Sequence, residues 1–286
     1  MPLVRLSTYS IVGADPQTNQ VGVAVQSKFL AVGAIVPWAK GGVGACAVQA
    51  FPDVTVGPRA LEHLEAGQDP ADILRREMEG DPMASQRQTG LVAADGRSAS
   101  HTGEDCFGWR GHLTGPGFAA QGNVLAGPEV VQAMGRVFSD SATRPLAHRL
   151  LDTLQAGQDA GGEKRGMESA ALLVCQPGGG YGGNHDRLVD LRVDHDDDPI
   201  TRLVQLLAVR DYYFDRAPQQ EWVPLDAPLM NEVSARLTGN GWMQAGQPLD
   251  QALMGYLGWE NLEERWTDSD TIDPVALAHL RKHLPR

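Results

Sequence analysis

Cysteine is sparse in this chain of 286 residues: Cys46, Cys106 and Cys175 stand far apart with no paired spacing. Neither a zinc cluster nor a disulfide framework fits that pattern, and the reduced cytoplasm is the expected location. Basic residues are also short, 24 Lys and Arg against 36 Asp and Glu for a net charge of −12. The electrostatic footprint of a nucleic-acid or anionic-lipid binder is therefore missing, and neither nucleic acid nor membrane is an expected partner. No apolar run approaches the roughly 18 residues that a membrane span requires. The first thirty residues lack the charged start, unbroken apolar stretch and small-residue cleavage site of a secretory signal. What is present, 42% hydrophobic and 21% charged residues, belongs to a globular protein with a real core, not to a collagenous or disordered chain.

Composition shifts near residue 210. Four of the six tryptophans, Trp222, Trp242, Trp259 and Trp266, fall after it, while 28 of the 33 glycines fall before it. Two domains are expected, 1–210 and 211–286, joined by the polar, Pro-containing stretch from Arg216 to Pro228. In the first, Thr8 to Ala14 and Val21 to Ser27 alternate as strands around the turn residues DPQTNQ. A second hairpin, VGAIVPWA and GVGACAVQAF, is expected beside it as part of a four-stranded meander. Leu61, Leu64, Ile73, Leu74 and Met78 then recur at helical spacing, with Gly67 as a cap. Strands return at Gln88 to Ala94, Ser98 to Thr102 and Gly117 to Gly122, helices at Pro128 to Phe138 and Pro145 to Leu154, and strands at Ser169 to Gln176 and Arg187 to Val193. LEAGQDP at 64–70 and LQAGQDA at 154–160 read as two similar helix ends. This α+β order is most simply satisfied by a four-layer αββα sandwich, followed by a small helical C-terminal domain with core positions Leu249, Leu253, Leu257, Leu277, Leu280 and Leu284.

A loop centred between Gln17 and Thr18 makes paired residue numbers in the first hairpin sum to 35, which sets Thr8 opposite Ser27 with Lys28 beside it. A one-residue slip would make Lys28 the facing partner. Lysine is scarce, four residues against twenty arginines, and only lysine can tune its own proton or a neighbour's near neutral pH.

Several long strings resemble the bacterial DUF1028 family: STYSIVGADPQTNQVGVAVQSKFLAVGAIVPWAKGGVGACAVQAF, HTG at 101–103, QGNVLAGPEVV at 121–131 and GGGYGGNHDRLVDLRVDHDDDP at 178–199. The resemblance implies membership of the N-terminal nucleophile (Ntn) hydrolase superfamily and its αββα fold. The tail, through SARLTGNGW at 234–242, GYLGWENLEERW at 255–266 and IDPVALAHLRKHL at 272–284, resembles a small peptidoglycan-binding-like module. A glycan fragment is the partner that this implies, although tryptophans at helical spacing serve equally as buried anchors.

In Ntn chemistry the residue opening the first strand attacks an amide carbonyl while its own α-amine serves as base. Carried over by the resemblance, Thr8 is the nucleophile, Ser27 hydrogen-bonds within its cluster, Lys28 tunes the amine, and Asn123, with Gln49 as a further candidate, supplies the oxyanion donor. Asn123 serves equally as a cap for the helix near Pro128. Seven residues, MPLVRLS, precede Thr8, so a free amine requires either self-cleavage at Ser7-Thr8 or translation that begins downstream. The expected activity is hydrolysis of a carbon-nitrogen amide bond in a small molecule or short peptide, without a cofactor or metal, by a homodimer or higher homo-oligomer. The alternative is a non-catalytic Ntn-fold protein that binds a ligand or assembles through its tail and sheet edge.

Three other constellations carry less. His195 among Asp194, Asp196, Asp197 and Asp198 offers metal-ligand types, but consecutive acids cannot all face one ion, and a solvated loop is expected. His101, Cys106 and His112 lack an orienting residue for a Cys-His pair. GGGYGG at 178–183 lacks the GxxxxGK[ST] pattern of a phosphate loop and reads as a hairpin tip.

Overall fold

A computed structural model of the protein describes residues 7–285. Its contacts divide the chain into two compact units, Met1–Gln205 and Leu206–Arg286, with the division inside the helix α5 (Pro199–Phe214). The whole is a mixed α and β protein with eight α-helices and three sheets among the described residues.

The first hairpin forms as its alternation dictates. Strands β1 (Thr8–Asp15) and β2 (Gln20–Ser27) pair antiparallel with Thr8 opposite Ser27 and Asp15 opposite Gln20. Asp15 fixes the turn, accepting from the Gln17 amide at 3.0 Å and the Thr18 hydroxyl at 2.7 Å. Strands β3 (Pro37–Lys40) and β4 (Gly44–Ala50) also pair. They do not extend the first hairpin, however. Both flanks of the β1–β2 pair are already taken, β1 by β8 (Phe118–Leu125) and β2 by β9 (Ser169–Cys175), so the meander has no edge to grow from. Strand β4 instead joins β5 (Arg87–Ala93), which pairs with β6 (Ser98–Thr102), closing a four-stranded sheet β3-β4-β5-β6. With β7 (Trp109–Gly115) and β10 (Arg187–Val193) the other sheet has six strands in the order β10-β9-β2-β1-β8-β7.

Val12, Val23, Val25, Ala119 and Leu173 of the six-stranded sheet share one buried cluster with Ala45, Ala47 and Val92 of the four-stranded sheet. The opposite face of the four-stranded sheet, through Cys46, Val48 and Leu91, buries Val56, Leu61 and Leu64 of α1 (Val56–Glu65) and Ile73 and Leu74 of α2 (Pro70–Glu79). Helices α3 (Glu129–Asp140) and α4 (Leu146–Asp159) pack on β1, β2 and β8. They approach so closely that a Cβ on Gly13 would lie 2.8 Å from Phe138 and 3.0 Å from Leu150.

The two Ala-Gly-Gln strings differ in role. Gly67 sits past the end of α1 at φ 77 with open space around its Cα, as a helix cap requires. Gly157 lies inside α4, which runs on to Asp159, and a Cβ there would meet Met134 and Tyr9 at 3.0 Å. One glycine ends a helix; the other admits a close-packed neighbour.

The second unit contains α6 (Ala227–Gly239), α7 (Leu249–Trp259), α8 (Pro274–His283) and the short pair β11 (Val223–Pro224) and β12 (Thr271–Ile272). Leu229, Val233, Leu253, Tyr256, Leu277 and Leu280 form its core. Among the described residues no helix is long and apolar enough to cross a membrane.

Candidate active site

Strand alternation places Thr8, Ser10 and Val12 on the face of β1 that meets the four-stranded sheet. Val12 belongs to the shared apolar cluster, whereas toward the start of the strand the same face turns polar. Thr8, Ser10, Ser27, Gln49, Gln88, Gln121 and Asn123 are all buried there. Buried polar groups on this scale persist only when bonded to one another, and these are. The Ser10 hydroxyl donates to Gln49 Oε1 at 2.7 Å and accepts from Gln121 Nε2 at 2.7 Å. Gln49 Nε2 donates to Gln88 Oε1 at 2.9 Å and reaches Thr8 O at 3.3 Å. Asn123 Nδ2 donates to the same Gln88 oxygen at 2.9 Å and reaches Thr8 O at 3.5 Å. Gln88 in turn donates to Gly122 O at 2.8 Å and Thr102 Oγ1 at 3.0 Å.

The hydroxyls form a directed chain. Ser27 Oγ lies 2.6 Å from Ser7 O, to which it must donate, and 2.9 Å from Thr8 Oγ1. A serine hydroxyl has one proton, so with that proton on Ser7 O the Thr8 hydroxyl is the donor to Ser27. The sequence is Thr8 O–H to Ser27 O–H to the Ser7 carbonyl, which is the bond that ties Thr8 to the segment before it. Residues 1–6, the rest of the segment whose removal would expose the Thr8 amine, lie outside the described residues.

Two strained positions flank this cluster. Ala50, directly after Gln49, has φ 67, and Val124, directly after Asn123, has φ 55. A β-branched residue in the left-handed region costs about 1–3 kcal/mol and persists where the surroundings over-determine it. Both kinks lie where a strand delivers an amide to Thr8 O. Beside Asn123 lies a small cavity of about 10 Å³, room for a single water, walled also by Ala50, Phe51, Gln86, Asp105, Cys106 and Phe107.

Lys28 is the expected member that the structure does not bring in. Strand β2 ends at Ser27, so Lys28 leaves the inward alternation, and its ammonium bonds Met167 O at 2.9 Å and Glu168 at 3.0 Å in a partly exposed position. Its backbone contributes instead: the Lys28 amide donates to Glu163 Oε2 at 2.8 Å, fixing the chain just past Ser27. The Glu163 side chain is fully buried and also accepts from Arg165 Nε at 2.6 Å. Burial pushes its carboxyl above the usual carboxylate range, against the opposing pull of Arg165 and the Lys28 amide. A folded-state pKa raised above the unfolded one means that the native chain holds the extra proton, so this group's contribution falls as pH rises from the usual carboxylate range through the raised value. Glu163→Gln is expected to flatten that decline; the check is the thermal midpoint of both proteins followed from pH 4 to pH 8, with parallel curves refuting it.

The remaining candidates are spoken for elsewhere. Asn123 makes no bond to the start of α3, so the capping role falls away. His195 Nδ1 pairs with Glu168 at 2.5 Å, and Asp198 accepts from Thr201 N at the start of α5. Among the described residues no three His, Cys, Asp or Glu side chains converge as a metal site. His101 bonds Ala84 O, Cys106 bonds Arg87 O and His112 bonds Thr102. GGGYGG is a hairpin tip between β9 and β10, with Gly182 at φ 65. Ser10, Gln88, Gln121 and Glu163 escape sequence reasoning. A signal exists for the glutamines: in GACAVQA, RQTGLVA and FAAQGNVL an amide interrupts an otherwise small or apolar strand.

Residues 8–203 match a family described as a family of unknown function, DUF1028. No curated protein matches the chain. Among solved structures, the crystal structure of protein SPO2555 from Silicibacter pomeroyi, which carries the same family description, is 31% identical, with a TM-score of 0.64 over 72% of this chain and 89% of that one. A match spanning the whole inter-sheet site as well as the strands that build it is decisive: the chain belongs to the DUF1028 family.

Proposed function

We propose that the protein is an N-terminal-nucleophile amide hydrolase with Thr8 as nucleophile, made active by cleavage of its own Ser7–Thr8 bond. The observation that carries this reading is the hydroxyl chain from Thr8 through Ser27 to the Ser7 carbonyl. The layering supports it: α1 and α2, the four-stranded sheet, the six-stranded sheet, then α3 and α4 is the order of an Ntn sandwich, with Thr8 opening a central strand.

In the cleavage step Thr8 Oγ1 attacks the Ser7 carbonyl carbon while its proton passes to Ser27, whose own proton polarises the carbonyl oxygen. The Ser7 C–Thr8 N bond breaks, the nitrogen takes up the proton, and the Ser7 acyl group rests on Thr8 Oγ1 as an ester. Water hydrolyses the ester, releasing residues 1–7 and leaving Thr8 with a free amine. That amine, with an unperturbed pKa near 8, then serves as base for the same hydroxyl toward an external amide. Gln49 and Asn123 reach the Thr8 carbonyl through their longer bonds, 3.3 and 3.5 Å, and are the side chains positioned to turn a donor toward an oxyanion.

Intact mass of the untagged protein tests this. The expected result is a species lacking residues 1–7, and Ser27→Ala is expected to slow its appearance by about 10²-fold by removing the relay. A wild-type chain that stays full length for days sinks the proposal.

A further inference from the structure

Glu163 is a buried titratable group that the cleavage and hydrolysis steps leave unused, and the sheet places it where β1 begins. In the order β2-β1-β8 the first strand lies between the other two. The Glu163 backbone bridges to Leu125 at the end of β8, and its carboxylate reaches the Lys28 amide just past the end of β2. The residue therefore spans the start of β1, which is Thr8. Hydrogen-bond alternation gives the position more closely. Ser27 O accepts from Glu168 N on the β9 side, so the next amide, that of Lys28, turns toward β1. In a continued ladder its partner is residue 7, yet it meets Glu163 Oε2 at 2.8 Å, while Ser7 O faces the Ser27 hydroxyl. A carboxylate fills the place that the strand ahead of Thr8 would otherwise take.

That carboxylate suits what cleavage leaves behind. Ser7 and Thr8 are both buried, so a cut between them frees an α-amine shielded from water, and its charged form persists there only beside a counter-charge. Among the described residues only two acids are buried, Glu163 and Asp273, and Asp273 serves the start of α8 in the second unit. The serines and amides packed around Thr8 carry no charge. An ionised carboxylate has about four acceptor positions, of which the Lys28 amide and Arg165 Nε, at 2.6 Å, take one each. The rest are open to the N–H groups of an ammonium. Resting on the Thr8 reading above, we propose that Glu163 is the positioning residue of the mature site, its carboxylate binding the α-amine of Thr8 once residues 1–7 are gone. As Thr8 Oγ1 attacks the substrate carbonyl, its proton passes to that amine. Glu163, ionised throughout, holds the resulting ammonium until the proton moves on to the leaving amine; the acyl group stays on Thr8 Oγ1 as an ester, which water hydrolyses. The control of the amine expected of Lys28 thus falls to a group of opposite charge, which raises the amine's proton affinity instead of lowering it.

The sign of one shift tests this. Burial alone lowers the pKa of an amine, whereas a facing carboxylate raises it. Arg165 works against that rise, and Asp159, which like Glu163 acts on Tyr9, works with it; Tyr9 itself stays neutral, its phenol held well up by burial. The form that begins at Thr8 comes from self-cleavage or, without it, from a chain translated as Met followed by Thr8 and trimmed of the Met. Every strand and helix described starts at Thr8 or later, so this form keeps the whole fold. Labelling of the α-amine by acetic anhydride across pH, read from the mass of the N-terminal peptide, gives its pKa in the folded protein and in urea. The folded wild-type value is expected about one pH unit above the unfolded one, and the value in folded Glu163→Gln, which keeps an oxygen for the Lys28 amide, at or below it. Equal shifts in the two proteins overturn the proposal. So does a wild-type value at or below the unfolded one, which decides alone if the variant does not fold. Where amides are turned over, the acid limb of kcat/KM is expected to move down by the same unit in Glu163→Gln, and a limb that stays in place also overturns it. A shift that Glu163→Gln removes, without turnover of any amide, upholds the pairing and overturns the hydrolase; turnover without the shift does the reverse.

Discussion

Thr8→Ala is expected to leave the chain at full length and to remove amide hydrolysis, by about 10⁴-fold or more, while the fold survives. No neighbouring hydroxyl can take over. The Ser10 hydroxyl is fixed between Gln49 and Gln121, and the Ser27 hydroxyl is committed to Ser7 O. The stability cost is small, because Gln49 and Asn123 reach the backbone oxygen of residue 8, which alanine keeps. What is lost is one neutral hydrogen bond to Ser27, worth about 1 kcal/mol, and no buried donor is orphaned. Thr8→Ser supplies the counterpart: it retains the hydroxyl and is expected to cleave itself and to hydrolyse amides within about tenfold of wild type. Intact mass, thermal unfolding and a panel of amide substrates read all three forms. A Thr8→Ala protein with wild-type turnover would falsify the nucleophile assignment.

Why this site was half legible is a matter of which distances a sequence encodes. A loop centred between Gln17 and Thr18 fixes a sum of paired numbers that sets Thr8 against Ser27 to within a one-residue slip, and the register has Ser27. The same arithmetic says nothing across the gap between sheets. Gln49 and Gln88 lie on strands of one sheet, Ser10, Gln121 and Asn123 on strands of the other, and only packing brings their amides together. Lys28 entered through the family resemblance and the one-residue slip that the hairpin allows; the register pairs Thr8 with Ser27 instead, and past the end of β2 the Lys28 ammonium turns to Met167 O and Glu168. Strand β7 was missed for a related reason: WRGHLTG lies at the edge of its sheet, with several positions exposed, so it has no apolar stripe to betray it. Gly67 and Gly157 occupy identical tripeptides, and only the presence or absence of a neighbour at 3.0 Å separates a cap from a contact.

Asp273→Ala is expected to cost the second unit about 3–5 kcal/mol, the usual price of breaking one side of a buried ion pair. Asp273 is fully buried and organises four donors. Its carboxylate accepts from Arg265 Nη1 at 3.1 Å, from Val275 N at 2.8 Å and Ala276 N at 3.2 Å at the start of α8, and from Ala217 N at 2.7 Å. Alanine leaves α8 uncapped and Arg265, only 4% exposed, without a counter-charge, although its bonds to Tyr212 O and Asp211 O remain. Asp273→Asn keeps an oxygen for the helix amides but not the charge, so its loss is expected to fall between wild type and alanine. Four of the six tryptophans lie in this unit, which makes their fluorescence in urea the direct measurement. With a slope of about 2 kcal/mol/M, the alanine midpoint drops by about 2 M. An unchanged midpoint would mean that hydrophobic packing of Leu253, Tyr256, Leu277 and Leu280 holds the unit alone and that the pair serves geometry, setting the angle at which the chain enters α8, rather than stability.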